Sequence, residues 1–212
     1  MNKYGKILAG LFVVWFVAAL AASGLDLFKN GSGRFGLGVA VASLTPMVVF
    51  SLWFAASDGF RRFAFSLDPR ILTSLQTWRI MGFTFVLLQA RNALPAIFAL
   101  PAGYGDMFIG ATASLVAWQL GEPKHRNSFI LWQMLGMADL ITAVGLGTTA
   151  GLLIPHGPSM AAMTVLPLSL IPTFLVPLFF MLHVICIAQA RAWKTTLRAT
   201  PQVTRPLQSP AI

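Results

Sequence analysis

Apolar residues in this chain gather in long runs, not at the 3.6-residue period of an amphipathic helix or the alternation of a half-buried strand. The runs cover residues 7–22, 36–56, 80–102, 105–120, 128–150 and 162–188. Each approaches the roughly 20 residues that a helix needs to cross a hydrocarbon core. The pattern predicts an all-α membrane protein, a compact bundle of about six transmembrane helices with short loops in residues 1–190. Continuous runs argue against a β-barrel, whose strands alternate over about ten residues. Turn formers separate two pairs of runs, at Lys29-Asn30-Gly31-Ser32-Gly33 and Pro155-His156-Gly157-Pro158-Ser159. Asp68-Pro69 reads as an N-cap with proline at the first helical position. The third helix is therefore expected to start near Pro69 at the surface, with Trp78 and Arg79 at the interface and the spanning part from Ile80.

The first run follows Lys3 and Lys6 and ends in small residues, Ala18 to Ser23, as a secretory signal does. Cleavage would leave five spans. The five hydrophobic runs that follow favour an uncleaved anchor.

Composition supports the bilayer. Of 212 residues, 57% are hydrophobic and 10% charged, against about 25% charged in a soluble domain. The net charge of +9 would suggest nucleic acid if it lay on one soluble face. The lysines and arginines instead occupy the gaps between runs, where they set orientation. With both termini in the cytoplasm, the inner segments carry Lys3, Lys6, Arg61, Arg62, Arg70, Arg79, Lys124, Arg126, Arg191, Lys194, Arg198 and Arg205. The outer ones carry Lys29 and Arg34, and Arg91 falls within a span. This asymmetry predicts a multi-pass protein of a cell membrane, bacterial inner membrane by preference. Residues 191–212 are expected to form a disordered basic cytoplasmic tail.

The chemistry concentrates in Gln89-Ala90-Arg91-Asn92-Ala93-Leu94-Pro95, near the middle of the expected third span. An arginine at the bilayer centre costs about 3 kcal/mol on insertion scales, so Arg91 calls for an anion. Pro95 would free the Arg91 carbonyl and kink the helix. Asp139 in the fifth span is the expected partner, with Thr142 one turn on. Asp106, in the cluster Gly103-Tyr104-Gly105-Asp106, reads chiefly as the N-cap of the fourth span, with the two glycines in a tight turn. Arg91, Asp139, Gln89, Asn92 and Asp106 are thus the candidate substrate-binding residues.

Other features carry less. Pro46 and the series Pro167, Pro172 and Pro177 can free carbonyls inside helices, although proline is ordinary in membrane spans. His183 is read as a hydrogen-bonded histidine near the interface in preference to a cofactor ligand. Cys186 has no partner for a disulfide and reads as a buried thiol. Gly31-Ser32-Gly33-Arg34-Phe35-Gly36 matches GxGxxG but lacks the strand and soluble helix a dinucleotide site needs. Asn30-Gly31-Ser32 matches a glycosylation acceptor that matters only in a secretory pathway. Ala93-Leu94-Pro95-Ala96 recurs as Ala99-Leu100-Pro101-Ala102, without a larger repeat. Small-residue faces, including Gly147 and Gly151, suit helix packing within one chain or between copies in a homo-oligomer.

No catalytic, cofactor or metal motif is legible. Two functional readings remain: a small-solute or proton-coupled transporter with a midplane arginine–aspartate site, binding a small anionic solute or a proton, and a non-transporting accessory or structural subunit in which the pair locks helix packing. An intramembrane enzyme ranks third, for want of a metal-ligand pair, a serine–histidine pair or paired carboxylates at helical spacing.

Overall fold

A computed structural model describes residues 3–29, 37–153 and 158–193. The fold is all-α: α1 (Lys3–Gly24), α2 (Leu37–Ala56), the short α3 (Asp58–Phe65), α4 (Pro69–Ala90), α5 (Ala96–Leu120), α6 (Arg126–Leu153) and α7 (Ile171–Ala192). Among them α1, α2, α4, α6 and α7 are long and apolar enough to cross a membrane. α5 has 25 residues, roughly 37 Å at helical rise, and completes a bundle of six. The lipid-facing surface is what a bilayer demands: Val14, Leu52, Ile71, Trp78, Phe108, Trp118, Leu131 and Ile141 are all exposed.

α3 lies between spans and differs from them. Ser57 caps it, accepting from the Phe60 amide at 3.2 Å. Phe60 and Ala64 turn inward while Arg62 stays out, so the helix is amphipathic and suited to an interface. Asp68 caps α4, accepting from the Arg70 amide at 2.7 Å, with Pro69 at the first position.

The expected third span, 80–102, is not one helix. α4 ends at Ala90 and α5 begins at Ala96. Arg91 is the C-cap, and Asn92 takes the left-handed conformation with φ 54°. The Ala93 amide donates to the Leu88 carbonyl and the Asn92 amide to that of Gln89, both at 2.8 Å. These two bonds make a Schellman motif with asparagine at C′. Pro95 does not kink a helix; it sits at the N-cap of α5 with ψ 133°. Hydropathy alone misplaced the boundary because Ala93, Leu94, Ala96 and Ile97 keep the stretch apolar through the turn.

The expected 105–120 span likewise starts earlier, at Ala96, so Gly103, Gly105 and Asp106 lie inside α5 and not in a turn or N-cap. At the same end of the bundle, where Met160 and Met163 pack with Leu94 and Phe98, the expected 162–188 span opens with a 3₁₀ turn (Met160–Thr164) and becomes helical only near Ile171. Pro167, Pro172 and Pro177 deny three backbone donors to an α-helical ladder. Residues Ile171–Leu175 form a π-helical segment, which restores α-helix at Val176. The tail from residue 194 lies outside the described residues.

Candidate functional site

The helix irregularity that matters most is in α4. Its middle, Leu75–Gly82, is 3₁₀, a long run for that geometry. Residues three apart eclipse in such a helix, so Gln76 and Arg79 leave it on one edge, continuing the line begun by Thr73. All three are buried, with Arg79 3% exposed. The side chain expected at the interface is therefore at the bundle's centre.

Arg79 joins three other helices. Its Nε donates to Asp106 Oδ1 of α5 at 2.7 Å, and its Nη2 to Asp139 Oδ2 of α6. Nη1 donates to the Gly136 carbonyl at 3.1 Å and to His183 Nε2 of α7 at 3.2 Å. Four of the five guanidinium hydrogens thus have protein acceptors. The arginine side chain is 1% exposed, whereas the Asp106 and Asp139 side chains keep 15% and 17%. The second oxygen of each carboxylate makes no hydrogen bond among the described residues.

A neutral relay continues from Arg79 along α4, α6 and α7. The guanidinium can only donate, so His183 Nε2 accepts and the ring proton lies on Nδ1. Nδ1–H donates to Gln133 Oε1 at 2.5 Å, and Gln133 Nε2 donates to Thr73 Oγ1 at 2.8 Å. Thr73 Oγ1 lies 3.7 Å from Cys186 Sγ, which lies 3.9 Å from the Pro69 carbonyl at the start of α4. Beside this line, Gln76 Nε2 donates to the Phe179 carbonyl at 3.2 Å, leaving its buried Oε1 without a partner among the described residues.

Glycine lets the backbones close on the cluster. A Cβ at Gly110 would strike the α4 backbone at Ile80, one at Gly136 the His183 ring, and one at Gly105 the Asp139 carboxylate. On the side of the cluster away from His183 is a small cavity of about 40 Å³, lined by Asp106, Phe98, Gly147, Met160, Met163 and Val176. It is large enough for a water molecule.

The sequence-derived candidates separate. Asp139 and Asp106 meet in the cluster, but their cation is Arg79. Arg91 and Asn92 are exposed at the end of α4, and Gln89 is half-buried one turn earlier, so the expected Arg91–Asp139 pair is not formed. His183 is fully buried at midspan, not near an interface. Arg79, Gln133, Gln76, Thr73 and Gly136 were not singled out from sequence. A signal was present: Thr73/Gln76/Arg79, Gln133/Gly136/Asp139 and His183/Cys186/Gln189 each recur at three-residue spacing, the mark of a polar or small stripe on one helix edge. No cluster of three or more metal-ligating side chains occurs among the described residues.

No curated protein and no solved structure matches the chain. Residues 34–191 match the family described as Domain of unknown function (DUF8737), a stretch that takes in α2 to α7 and every member of the Arg79 cluster. The chain therefore belongs to the DUF8737 family.

Proposed function

We propose that this membrane protein is a proton-coupled transporter of a small solute, with Asp106, Arg79 and Asp139 as its proton-carrying centre. The carrying observation is the pairing of two carboxylates with one guanidinium at the middle of the bundle. With both ionised, the three groups hold one excess negative charge in a low-dielectric interior, where an uncompensated charge is expensive. One proton neutralises it. The free carboxylate oxygens and the cavity beside Asp106 supply a place to receive that proton.

The same geometry narrows what the arginine can do. Its donors are almost all committed, so an anionic solute would have to displace a carboxylate. In this reading Arg91 and Asn92, exposed at the far end of α4, meet such a solute first, with Gln89 behind them. The protein lies in a cell membrane, bacterial inner membrane by preference, with both termini in the cytoplasm. Among the described residues Lys3, Lys6, Arg61, Arg62, Arg70, Lys124, Arg126 and Arg191 fall at that end of the helices, against Lys29 and Arg91 at the other.

The test is proton flux in proteoliposomes loaded with a pH-sensitive dye. Asp139→Asn should insert and fold yet lose flux, and Asp106→Asn should behave likewise. Full flux in the folded Asp106→Asn/Asp139→Asn protein removes the reading. A structural accessory subunit is the alternative, favoured by the density of hydrogen bonds around Arg79. On that alternative, Arg79→Met alone destabilises more than Arg79→Met combined with both aspartate-to-asparagine changes, and neither the natural protein nor any variant carries protons.

A further inference from the structure

α1 is held to the bundle near its start, at its middle and near its end. Near its start, Tyr4 packs on Trp53 and Phe63 with ring centroids 6.5 and 6.3 Å away. Further along, the Trp15 ring lies 4.6 Å from that of Phe174, and its Nε1 donates to the Thr173 carbonyl at 3.2 Å. The Ser23 and Ser169 hydroxyls are 2.7 Å apart. Between these anchors α1, α2, α3 and α7 enclose a groove of about 1170 Å³. Ala18, Ala22, Gly38 and Ala42 leave the room, and Phe12, Val49 and Leu182 are among its apolar walls. It exceeds the range of small-molecule sites, about 300–1,000 Å³. From Leu8 to Ala22 it follows α1 for about 21 Å, more than half of a hydrocarbon core of about 30 Å.

One end of the groove is basic. The Tyr4–Phe63 contact places the first turn of α1, which carries Lys3 and Lys6, beside α3, which carries Arg62, at the end of the groove lined by Leu8, Phe60 and Phe63. All three cations are exposed, and none makes an ion pair among the described residues. Arg61 is committed to Asp58 and the Phe54 and Ala55 carbonyls.

We infer that this groove is a binding site for one phospholipid with an anionic head group. The acyl chains fill the space between α1, α2 and α7, and the phosphate lies among Lys3, Lys6 and Arg62. The size and apolar lining select the chains; the unpaired cations at one rim select the charge. The site is separate from the Arg79 cluster and does not depend on a transport function.

The test is retention of defined lipids by the purified, delipidated full-length chain, read by native mass spectrometry with phosphatidylglycerol and phosphatidylcholine as probes. One phosphatidylglycerol should survive activation that strips phosphatidylcholine. Lys6→Gln with Arg62→Gln, both at exposed positions, should weaken phosphatidylglycerol retention about thirtyfold, at roughly fivefold per basic side chain, and leave phosphatidylcholine unchanged. Ala42→Phe, verified as folded by thermal unfolding, should abolish the retained lipid. Equal retention of the two lipids, or an unchanged bound lipid in folded Ala42→Phe, overturns the site. So does a lipid-free dimer in which a second copy covers the groove.

Discussion

Arg79 and Arg91 sit on the same span and have opposite fates. Arg79 is sealed among three neighbouring helices and holds two carboxylates, a carbonyl and a histidine. Arg91 caps the same helix, is exposed, and makes no ion pair among the described residues. The difference is position, since the side chain is the same. At the centre of α4 a guanidinium has no water and must recruit acceptors from α5, α6 and α7. At the helix end it can reach the interface, where its cost falls.

The largest expected effect breaks the comparison at its buried end. Arg79→Met leaves two carboxylates facing each other without a cation, and removing one partner of a buried pair costs about 3–5 kcal/mol. Thermal unfolding in detergent should show a marked drop, and Arg91→Met should shift stability by less than about 0.5 kcal/mol, as surface changes do. Comparable losses from both would mean that depth is not what separates them.

A second variant sharpens how the buried end is held. Gln133→Leu strands the His183 Nδ1–H and leaves the Thr73 hydroxyl only its weak contact with Cys186, with an expected cost of about 1–3 kcal/mol for the unsatisfied group. Unfolding should fall by less than for Arg79→Met, and the histidine Nδ1–H signal in NMR should change. An unaltered His183 resonance would sever the relay from the cluster.

A smaller effect than at Gln133 is expected at the turn. Asn92→Val places a β-branched residue at φ 54°, where left-handed backbone costs about 1–2 kcal/mol. Asn92→Gly should be neutral or slightly stabilising. If the two substitutions unfold alike, the Schellman turn does not govern where α4 stops.

Much of this was legible along the chain. The Asp68-Pro69 start of α4 and the apolar runs led to a membrane helix bundle, and Asp139 and Asp106 stood among the candidate residues, Asp106 chiefly as an N-cap. The arginine of the cluster did not. Gln89 to Pro95 looked like a polar interruption inside a span, because its flanks are apolar and proline kinks are common in membranes. Asn92, able to adopt left-handed backbone, with Pro95 three residues on, carried the opposite message of helix termination. Moving that boundary shifts the centre of the span from Arg91 to Arg79. His183 was similarly misplaced in depth because the three prolines delay the start of α7 to near Ile171.

What the sequence by itself determined is the bilayer as solvent and helix as the only backbone state for its runs. Hydropathy and length are local sums, and unpaired backbone groups are too costly in lipid for other spanning structures. Only the tertiary structure decided which cation meets Asp106 and Asp139. That choice depends on a turn formed by two backbone hydrogen bonds, on a 3₁₀ stretch that aligns Gln76 with Arg79, and on glycines at 105, 110 and 136 that let four helices approach. Each is a matter of distances between segments far apart in the chain, which a linear pattern of polar and apolar positions does not contain.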